Sequence, residues 1–393
     1  MDFQVKLDGV WYSLDTINQQ ATVINSQDRD YEGDIVIPSS LLYEGVIYNV
    51  LKIGDEAFFC CYNLATVIIS EGVIDIGFSA FDSCTELQNI SLPKSLEEIG
   101  LAAFRNCYNL RNITIPYNVI EILGGTFEDC VKLESVDIQG NVEEIGNNAF
   151  YGCVSLKSIS IPKSVVTIGE KMFCECGSLV SVVLPEGIEE IPSAIFEGCT
   201  SLTSVNIPNG VGVINELAFS RCGNLNNVVI PNSVKRIKQY AFFGCSSLTS
   251  VIIPDGVTNI EKSAFGECIN LVTAILPNSL VEIGDFAFSN CVNLGSISFP
   301  SSLQCIGAYA FSACSKINSL TFPKEMKSVM QFAFEECSGL LDIYCPTENV
   351  SSASNAFEGN DLSVVTLHVL EDTIEKYKKT EPWCRFGNIV PLL

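Results

Sequence analysis

The chain is poor in the residues on which most enzymes and nucleic-acid-binding proteins depend. It has one histidine and two tryptophans among 393 residues, and 22 basic residues against 46 acidic ones give a formal net charge of −24. A surface of this charge repels phosphate backbones and anionic lipid headgroups. We therefore expect no nucleic acid partner and no binding to membrane surfaces.

Long apolar segments and common catalytic motifs are also missing. No stretch reaches the roughly 18 apolar residues of a membrane span, so we expect no direct membrane insertion, and no signal peptide opens the sequence. The sequence holds no phosphate loop, no glycine-rich dinucleotide fingerprint and no HExxH motif. To act in a catalytic triad, the lone His368 would need a serine or cysteine nucleophile and an orienting carboxylate in one pocket. The sequence indicates no such pocket, and we interpret His368 as a surface residue near the C-terminal end. The sequence predicts a protein that is not an enzyme and takes no cofactor.

One regularity dominates what is present, because a phenylalanine recurs every 23 residues without a slip. A fixed period of this length indicates a solenoid, in which each coil buries its apolar side only by stacking on its neighbours. The functional question is then which surface binds rather than which pocket reacts. The fourteen residues are Phe58, Phe81, Phe104, Phe127, Phe150, Phe173, Phe196, Phe219, Phe242, Phe265, Phe288, Phe311, Phe334 and Phe357.

Other positions keep the same period and predict the structure of one coil. Two alternating aliphatic residues indicate a short strand with one buried face, and a proline usually ends it. A second apolar pair follows, often before a glycine, and the residues that lead to the phenylalanine are predicted to form a single helical turn. One set of inward residues is Leu64, Val67, Ile69, Val73, Ile76, Ala80, Phe81 and Cys84.

Thirteen of the 18 cysteines lie on this period, three residues after the phenylalanine. Free cysteine is among the most buried residue types. Stacked neighbours about 4.8 Å apart with parallel Cα–Cβ bonds suit disulfide geometry poorly. We predict a buried column of free thiols.

The pattern LxxIxIPxxVxxIGxxAFxxCxxL, as in Leu156–Leu179 and Leu248–Leu271, resembles the 23-residue leucine-rich repeat of the BspA-like type. The resemblance implies a β-rich leucine-rich-repeat solenoid with short helical turns and with parallel strands on the concave face. It also implies an extracellular or bacterial cell-surface location, with the signal segment absent from this chain. The sequence without the resemblance leaves a cytoplasmic location open.

The two ends depart from the repeat and are predicted to cap it, because a solenoid end would expose core and open backbone. We expect an N-terminal cap of β-hairpins over 1–49, a solenoid of about 13 coils over 50–346 and a degenerate last repeat with a C-terminal cap over 347–393. In the C-terminal cap, Glu371–Lys379 is predicted to be helical. Trp383 and Phe386 should cover the last phenylalanine.

An apolar run on the outward row of the predicted concave strands is the candidate binding site. Most neighbouring outward residues are small and polar, whereas Val229, Ile252 and Ile275 are aliphatic in three consecutive coils. Exposed apolar patches often mark partner sites, although β-propensity alone could also place valine and isoleucine there. With the preceding residues of the row, the candidate site comprises Val183, Asn206, Val229, Ile252 and Ile275.

Four consecutive coils also carry a carboxylate before the second apolar pair's isoleucine: Asp75, Glu98, Glu121 and Glu144. A column of carboxylates in register could hold Ca²⁺, but a solvated polar face is the simpler interpretation. We predict no metal site and keep these four residues as weak candidates.

Together these features predict a non-enzymatic protein–protein interaction module. The family resemblance adds an adhesin-like binding protein, secreted or on the bacterial surface, with a host or bacterial surface protein as partner. Two alternatives remain open, namely a structural stalk or spacer without a ligand and a glycan-binding protein. We expect a monomer.

Overall fold

The computed structural model describes residues 2–26, 29–348 and 350–392. The chain forms two compact units. The first comprises Met1–Ile188 with Gly198–Thr200, and the second comprises Glu189–Glu197 with Ser201–Leu393. In both units the repeats build coils whose strands pair in parallel with those of the next coil, which confirms the predicted leucine-rich-repeat solenoid. The division into 1–49, 50–346 and 347–393 stays a prediction.

The first unit opens with antiparallel hairpins, as the alternating pattern predicts. Asp8-Gly9 and Glu44-Gly45 form the tight turns, and all four residues have positive φ values between 47° and 87°, as a two-residue hairpin turn requires. The strands of this region are Asp2–Leu7, Val10–Asp15, Gln20–Ile24, Gly33–Ile37, Ser40–Tyr43 and Val46–Ile53.

Each coil of the first unit contributes two short strands on two different faces. The strands pair with a shift of 23 residues, so that Asn112 faces Ser135 and Glu121 faces Glu144. The first strands are Leu64–Ile69, Asn89–Ser91, Asn112–Ile115, Ser135–Ile138, Ser158–Ile159 and Ser181–Val183. The second strands are Asp75–Ile76, Glu98–Ile99, Glu121–Ile122, Glu144–Ile145 and Thr167–Ile168.

The second unit repeats this arrangement. Its first strands are Ser204–Asn206, Ser250–Ile252, Thr273–Ile275, Ser296–Ile297, Ser319–Thr321 and Asp342–Cys345. Its second strands are Glu190–Ile191, Val213–Ile214, Arg236–Ile237, Asn259–Ile260, Glu282–Ile283, Cys305–Ile306, Ser328–Val329 and Ser351–Ser352, and they form one continuous parallel sheet.

The core of each unit is the stack of inward residues that the repeat predicts. All eight residues of the set from Leu64 to Cys84 are buried. In the first unit the rings of Phe58 to Phe173 stack with centroids 4.9–5.7 Å apart. In the second unit those of Phe196 to Phe357 are 5.1–5.5 Å apart. Within each unit, every coil is thereby tied to its neighbours by dispersion and burial.

The segment before each phenylalanine is not the predicted helical turn. In the coil of Phe81, alternate amides donate to different places: those of Ser79 and Phe81 to the carbonyls of Leu101 and Ala103 in the next coil, and that of Ala80 to Gly77 within its own coil. A helix would direct every amide back along its own segment. The segment forms stacked turns instead, with positive φ at residues such as Ser79. This conformation allows alternate amides to donate hydrogen bonds to the neighbouring coil.

The C-terminal part of the second unit covers the end of the phenylalanine stack. The predicted helix is present but shorter, as a 3₁₀ turn over Glu371–Thr373 followed by an α-helix over Ile374–Tyr377. The rings of Trp383 and Phe386 lie 5.7 and 5.5 Å from that of Phe357, as expected. The remaining elements are the strands Thr366–Val369 and Asn388–Pro391 and the 3₁₀ turns Leu362–Val364 and Trp383–Arg385. None of the helices in the described residues is long and apolar enough to span a bilayer.

Candidate functional site

The second unit exposes three aliphatic side chains on its first-strand face, and we call them the apolar row. Val229, Ile252 and Ile275 are 72%, 63% and 52% exposed. Ile252 and Ile275 are direct partners in paired strands. Their chain neighbours Val251 and Ala274 are buried, because side chains of a strand point alternately to its two faces.

Val229 keeps this orientation although its coil has no regular strand over 227–230. Val228 and Ile230 on either side of it are buried, so the inward–outward alternation persists without the strand ladder. Asn206 lies in the same unit and is half-buried. Val183 is exposed, but it belongs to the first unit. The second unit therefore holds four of the five predicted residues, and three of these form the apolar row.

A shallow groove of about 310 Å³ adjoins the row at Ile275. Its lining combines apolar surface with hydroxyl and amide groups. Such a groove can accept one apolar side chain of a partner while polar groups at its rim bind the partner's backbone. The lining includes Thr273, Ile275, Asn278, Ser296, Ser298 and Pro300.

The predicted acidic row lies in the first unit, on the second-strand face. Asp75 pairs in register with Glu98, and Glu121 with Glu144. Lys52 takes the preceding position of the row and forms a 2.6 Å ion pair with Asp75. This bond raises the pKa of the Lys52 ammonium above its ordinary value. Within the described residues no three or more His, Cys, Asp or Glu side chains form a group that could hold a metal ion.

The acidic row borders a groove of about 760 Å³ that the sequence analysis missed. We call it the acidic groove, and it is lined by the side chains of Lys52, Asp75, Phe78, Glu98, Ile120 and Glu121 together with the backbone of Gly77 and Gly100. A signal was present in the sequence, because glycine follows the isoleucine in three successive coils, at Gly54, Gly77 and Gly100. Side chains are absent there, so a depression forms beside the carboxylates.

A column of three aromatic side chains on the turns of the second unit was also missed. The rings of Phe286, Tyr309 and Phe332 stack with centroids 4.8 Å apart. All three residues have φ between 56° and 58°, a region that bulky residues seldom occupy. Sugars bind to open ring faces, and within this column the rings cover one another. The column therefore gives no specific support to glycan binding.

His368 lies between two partners in the second unit. Its Nε2 is 2.9 Å from Oδ1 of Asp342, and its ring stacks on Tyr344 at 4.3 Å. These contacts follow from a one-residue lengthening of the last repeat, since Asp342 pairs with Thr366, which is 24 residues away. The histidine thus completes a strand pair near the end of the stack.

The thiol column is buried and every cysteine in the described residues is free. Each column thiol in the series from Cys84 onward donates to the carbonyl oxygen of the phenylalanine 26 residues earlier, as Cys107 does to Phe81 at 3.2 Å. Burial raises the pKa of the Cys268 and Cys337 thiols to about 12. In most coils the same carbonyl also accepts the backbone amide of the cysteine three residues after it, as that of Phe81 does from Cys84. The thiol column therefore has a structural role as a row of second donors that join each coil to the preceding one.

Known structures share this architecture. A leucine-rich repeat protein from Bacteroides ovatus is 25% identical, with 100% of both chains covered and a TM-score of 0.72. The pneumococcal vaccine antigen PcpA is 20% identical, with 100% of this chain and 98% of that chain covered and a TM-score of 0.56, which is a likeness in fold alone. No curated protein matches the chain.

The repeats themselves match a family model, the "BspA type Leucine rich repeat region (6 copies)", over residues 51–179, 143–272 and 258–378. These matches cover well over half of the sequence, and leucine-rich repeat proteins are generally protein-interaction or surface modules. The chain belongs to the BspA-type leucine-rich repeat family.

Proposed function

We propose that the protein is a non-enzymatic binding module of the bacterial surface, and that it docks a host or bacterial surface protein on the apolar row. The observation that carries this proposal is the exposure of Val229, Ile252 and Ile275 in three consecutive coils of one unit. Monomeric soluble proteins seldom keep contiguous aliphatic side chains in water without a partner.

The surroundings of the row favour a protein partner over a small molecule. Two residues before Ile252 and Ile275, on the same exposed face, lie Ser250 and Thr273, so small hydroxyl side chains flank the aliphatic ones. An apolar centre with a polar rim is the usual anatomy of a protein interface. The adjoining groove at Ile275 offers a pocket for one anchoring side chain.

Location at the bacterial surface is supported by the family and by the relatives. PcpA, which shares the fold, is a pneumococcal vaccine antigen. A chain of net charge −24 also stays soluble and avoids anionic lipid. We further propose that the protein acts as a monomer, which light scattering after size-exclusion chromatography would measure.

The test replaces the row by serine in one variant, Val229→Ser/Ile252→Ser/Ile275→Ser. Binding of parent and variant is measured on a panel of purified extracellular matrix proteins and on bacterial cells, together with their melting curves. We expect the parent to adhere and the variant to lose at least tenfold in apparent affinity, since three buried aliphatic side chains are removed from the interface. The melting temperature should change little, because the residues are exposed.

The matched control is Val36→Ser/Ile68→Ser, which removes an exposed aliphatic pair from strand partners in the first unit. It should adhere like the parent. Unchanged adhesion of the row variant, or an equal loss in the control, would refute docking on the apolar row. If the parent binds to a glycan array but to none of the proteins in the panel, the result would favour the glycan-binding alternative.

A further inference from the structure

We propose that the acidic groove of the first unit binds an extended peptide segment in which basic and apolar side chains alternate. This is a second interaction surface, on the second-strand face of the first unit, and it does not depend on the apolar row. The groove's volume, its exposed apolar residues and the charge of its wall suit such a ligand.

The shape of the groove is fixed by backbone. Gly77 and Gly100 form part of its lining, and a Cβ atom added to Gly100 would collide with the carbonyl carbon of Gly77. The coils thus approach so closely that no side chain can fill the floor. A preformed depression of about 760 Å³ results, and preformed sites bind without the cost of ordering themselves.

Apolar side chains stand in the groove without cover. Phe78 is 45% exposed and Ile120 is 52% exposed, and both line the groove. An aliphatic side chain placed against them would gain the same burial that stabilises the core. Apolar contact alone, however, would not select a partner.

The negative charge of the groove wall favours a ligand with basic side chains. Glu98 and Glu121 are exposed in the groove. Lys52 is already engaged by Asp75 at 2.6 Å. In the described part of the chain no lysine or arginine nitrogen lies within 4.0 Å of the Glu98 or Glu121 carboxylate. Basic side chains of a ligand would relieve the repulsion between neighbouring carboxylates and form charge-assisted hydrogen bonds with them.

The spacing suits an extended segment. The lining spans four coils, from Lys52 to Glu121, which is about 14 Å at the usual strand spacing of about 4.8 Å. An extended chain advances about 3.4 Å per residue, so about five residues fill the groove. Alternation places basic side chains on one side of such a segment and apolar side chains on the other.

The probe is the fluorescein-labelled peptide Lys-Leu-Arg-Leu-Lys, with its termini blocked and its binding measured by fluorescence anisotropy. Two comparison peptides separate the contributions: Lys-Ser-Arg-Ser-Lys keeps the charge, and Glu-Leu-Glu-Leu-Glu keeps the apolar residues. We expect the first peptide to bind at least tenfold more tightly than either comparison peptide. Its affinity should fall as salt is raised from 50 to 300 mM, because exposed charges are screened.

Two variants and one control test whether the peptide binds in the acidic groove. Glu98→Gln/Glu121→Gln should weaken binding at least tenfold, and Phe78→Ser/Ile120→Ser should do the same at unchanged net charge. The control Glu190→Gln/Glu282→Gln removes two carboxylates from the corresponding row of the second unit and should bind the peptide like the parent. Melting curves of all proteins confirm that they fold.

Equal losses in the groove and control variants would show attraction to net charge only and would overturn the proposal. Equal binding of the leucine and serine peptides would overturn it as well, since the apolar residues would then contribute nothing. The Val229→Ser/Ile252→Ser/Ile275→Ser variant should retain peptide binding, which keeps this test separate from that of the proposed function.

Discussion

Nδ2 of Asn360 donates a 2.7 Å hydrogen bond to the carbonyl oxygen of Phe334. One coil earlier, Cys337 Sγ makes the corresponding bond to Phe311 at 3.2 Å. The asparagine therefore replaces the thiol as a donor, although the side chains differ in size and chemistry. The slot three residues after each phenylalanine is thus a place for a side-chain donor to the phenylalanine carbonyl of the preceding coil, and loss of such a buried hydrogen bond is costly.

This relationship predicts the order of stability in variants of Asn360. Asn360→Ala removes the donor and should lower the free energy of unfolding by about 1–3 kcal/mol. Asn360→Cys restores the donor used in the preceding coils and should cost less. Thermal and denaturant unfolding of the three proteins measures the difference. Equal destabilisation by the alanine and cysteine substitutions would mean that the hydrogen-bond donor at this position contributes nothing to stability.

The buried thiols are predicted to react only after unfolding. A thiol reagent reacts with the thiolate, and the column thiols are shielded and held protonated by burial. At neutral pH the native protein should show few reactive groups, chiefly the exposed Cys384 and the half-buried Cys60 and Cys305. In denaturant all 18 cysteines should react. Detection of most column cysteines as disulfides in non-reducing mass analysis would contradict this.

The same thiols predict a loss of stability at alkaline pH. Burial raises the pKa of the Cys268 thiol from its ordinary value of 9.0 to about 12 in the folded chain. Above pH 9 the unfolded chain releases protons that the folded chain retains, so stability decreases with rising pH between about 9 and 12. The melting temperature should therefore fall steadily from pH 8.5 to 10.5. The variant Cys268→Ser should show a smaller fall, and an identical slope would argue against this thiol as a cause.

Calcium is predicted to leave the melting temperature unchanged. The carboxylates of Asp75, Glu98, Glu121 and Glu144 follow one another along a row, and Asp75 is already paired with Lys52. A cation that bound only the folded state would raise the melting temperature. A rise of several degrees in millimolar calcium, abolished by Glu98→Gln/Glu121→Gln, would show that the row holds the ion.

The aromatic column predicts an unusual order for two variants of Tyr309. Its left-handed backbone, with φ of 56°, costs about 1–2 kcal/mol in any residue with a Cβ atom. Stacking on Phe286 and Phe332 offsets that cost in the native protein. Tyr309→Ala keeps the strain and loses the stacking, whereas Tyr309→Gly loses both. The glycine variant should therefore have a higher melting temperature than the alanine variant. The reverse order would show that the backbone at this position is unstrained.

The period of the sequence predicted the inward residues because a solenoid repeats one environment in every coil. A phenylalanine at a fixed interval can only stack on its own copies, so Phe58 to Phe357 identified the core directly. The prediction of a helical turn before each phenylalanine was wrong, because the local sequence pattern does not show which carbonyl group accepts the hydrogen bond of a given amide. The acceptor of Phe81, the carbonyl of Ala103, lies in the next coil.

The apolar row and the acidic groove also differ in how far the sequence alone could predict them. The apolar row is a property of single positions, so strand alternation was enough to place Val229, Ile252 and Ile275 in solvent. The acidic groove is a property of neighbouring coils taken together. Its floor forms where Gly77 lies against Gly100, and that contact becomes visible only once the coils are stacked.

The alternating amides of the stacked turns also have an evolutionary consequence. Because Ser79 and Phe81 complete their hydrogen bonds only in the next coil, the smallest segment that can be gained or lost without orphaned donors is one whole repeat. Duplication or deletion of 23 residues, the spacing between Phe81 and Phe104, preserves every column. An insertion of one residue shifts the pairing of the residues after it, and the chain carries such a lengthening in its last repeat, where Asp342 pairs with Thr366. Descendants of such a gene can lengthen or shorten the surface rows in steps of one coil while the side chains of each step are inherited unchanged.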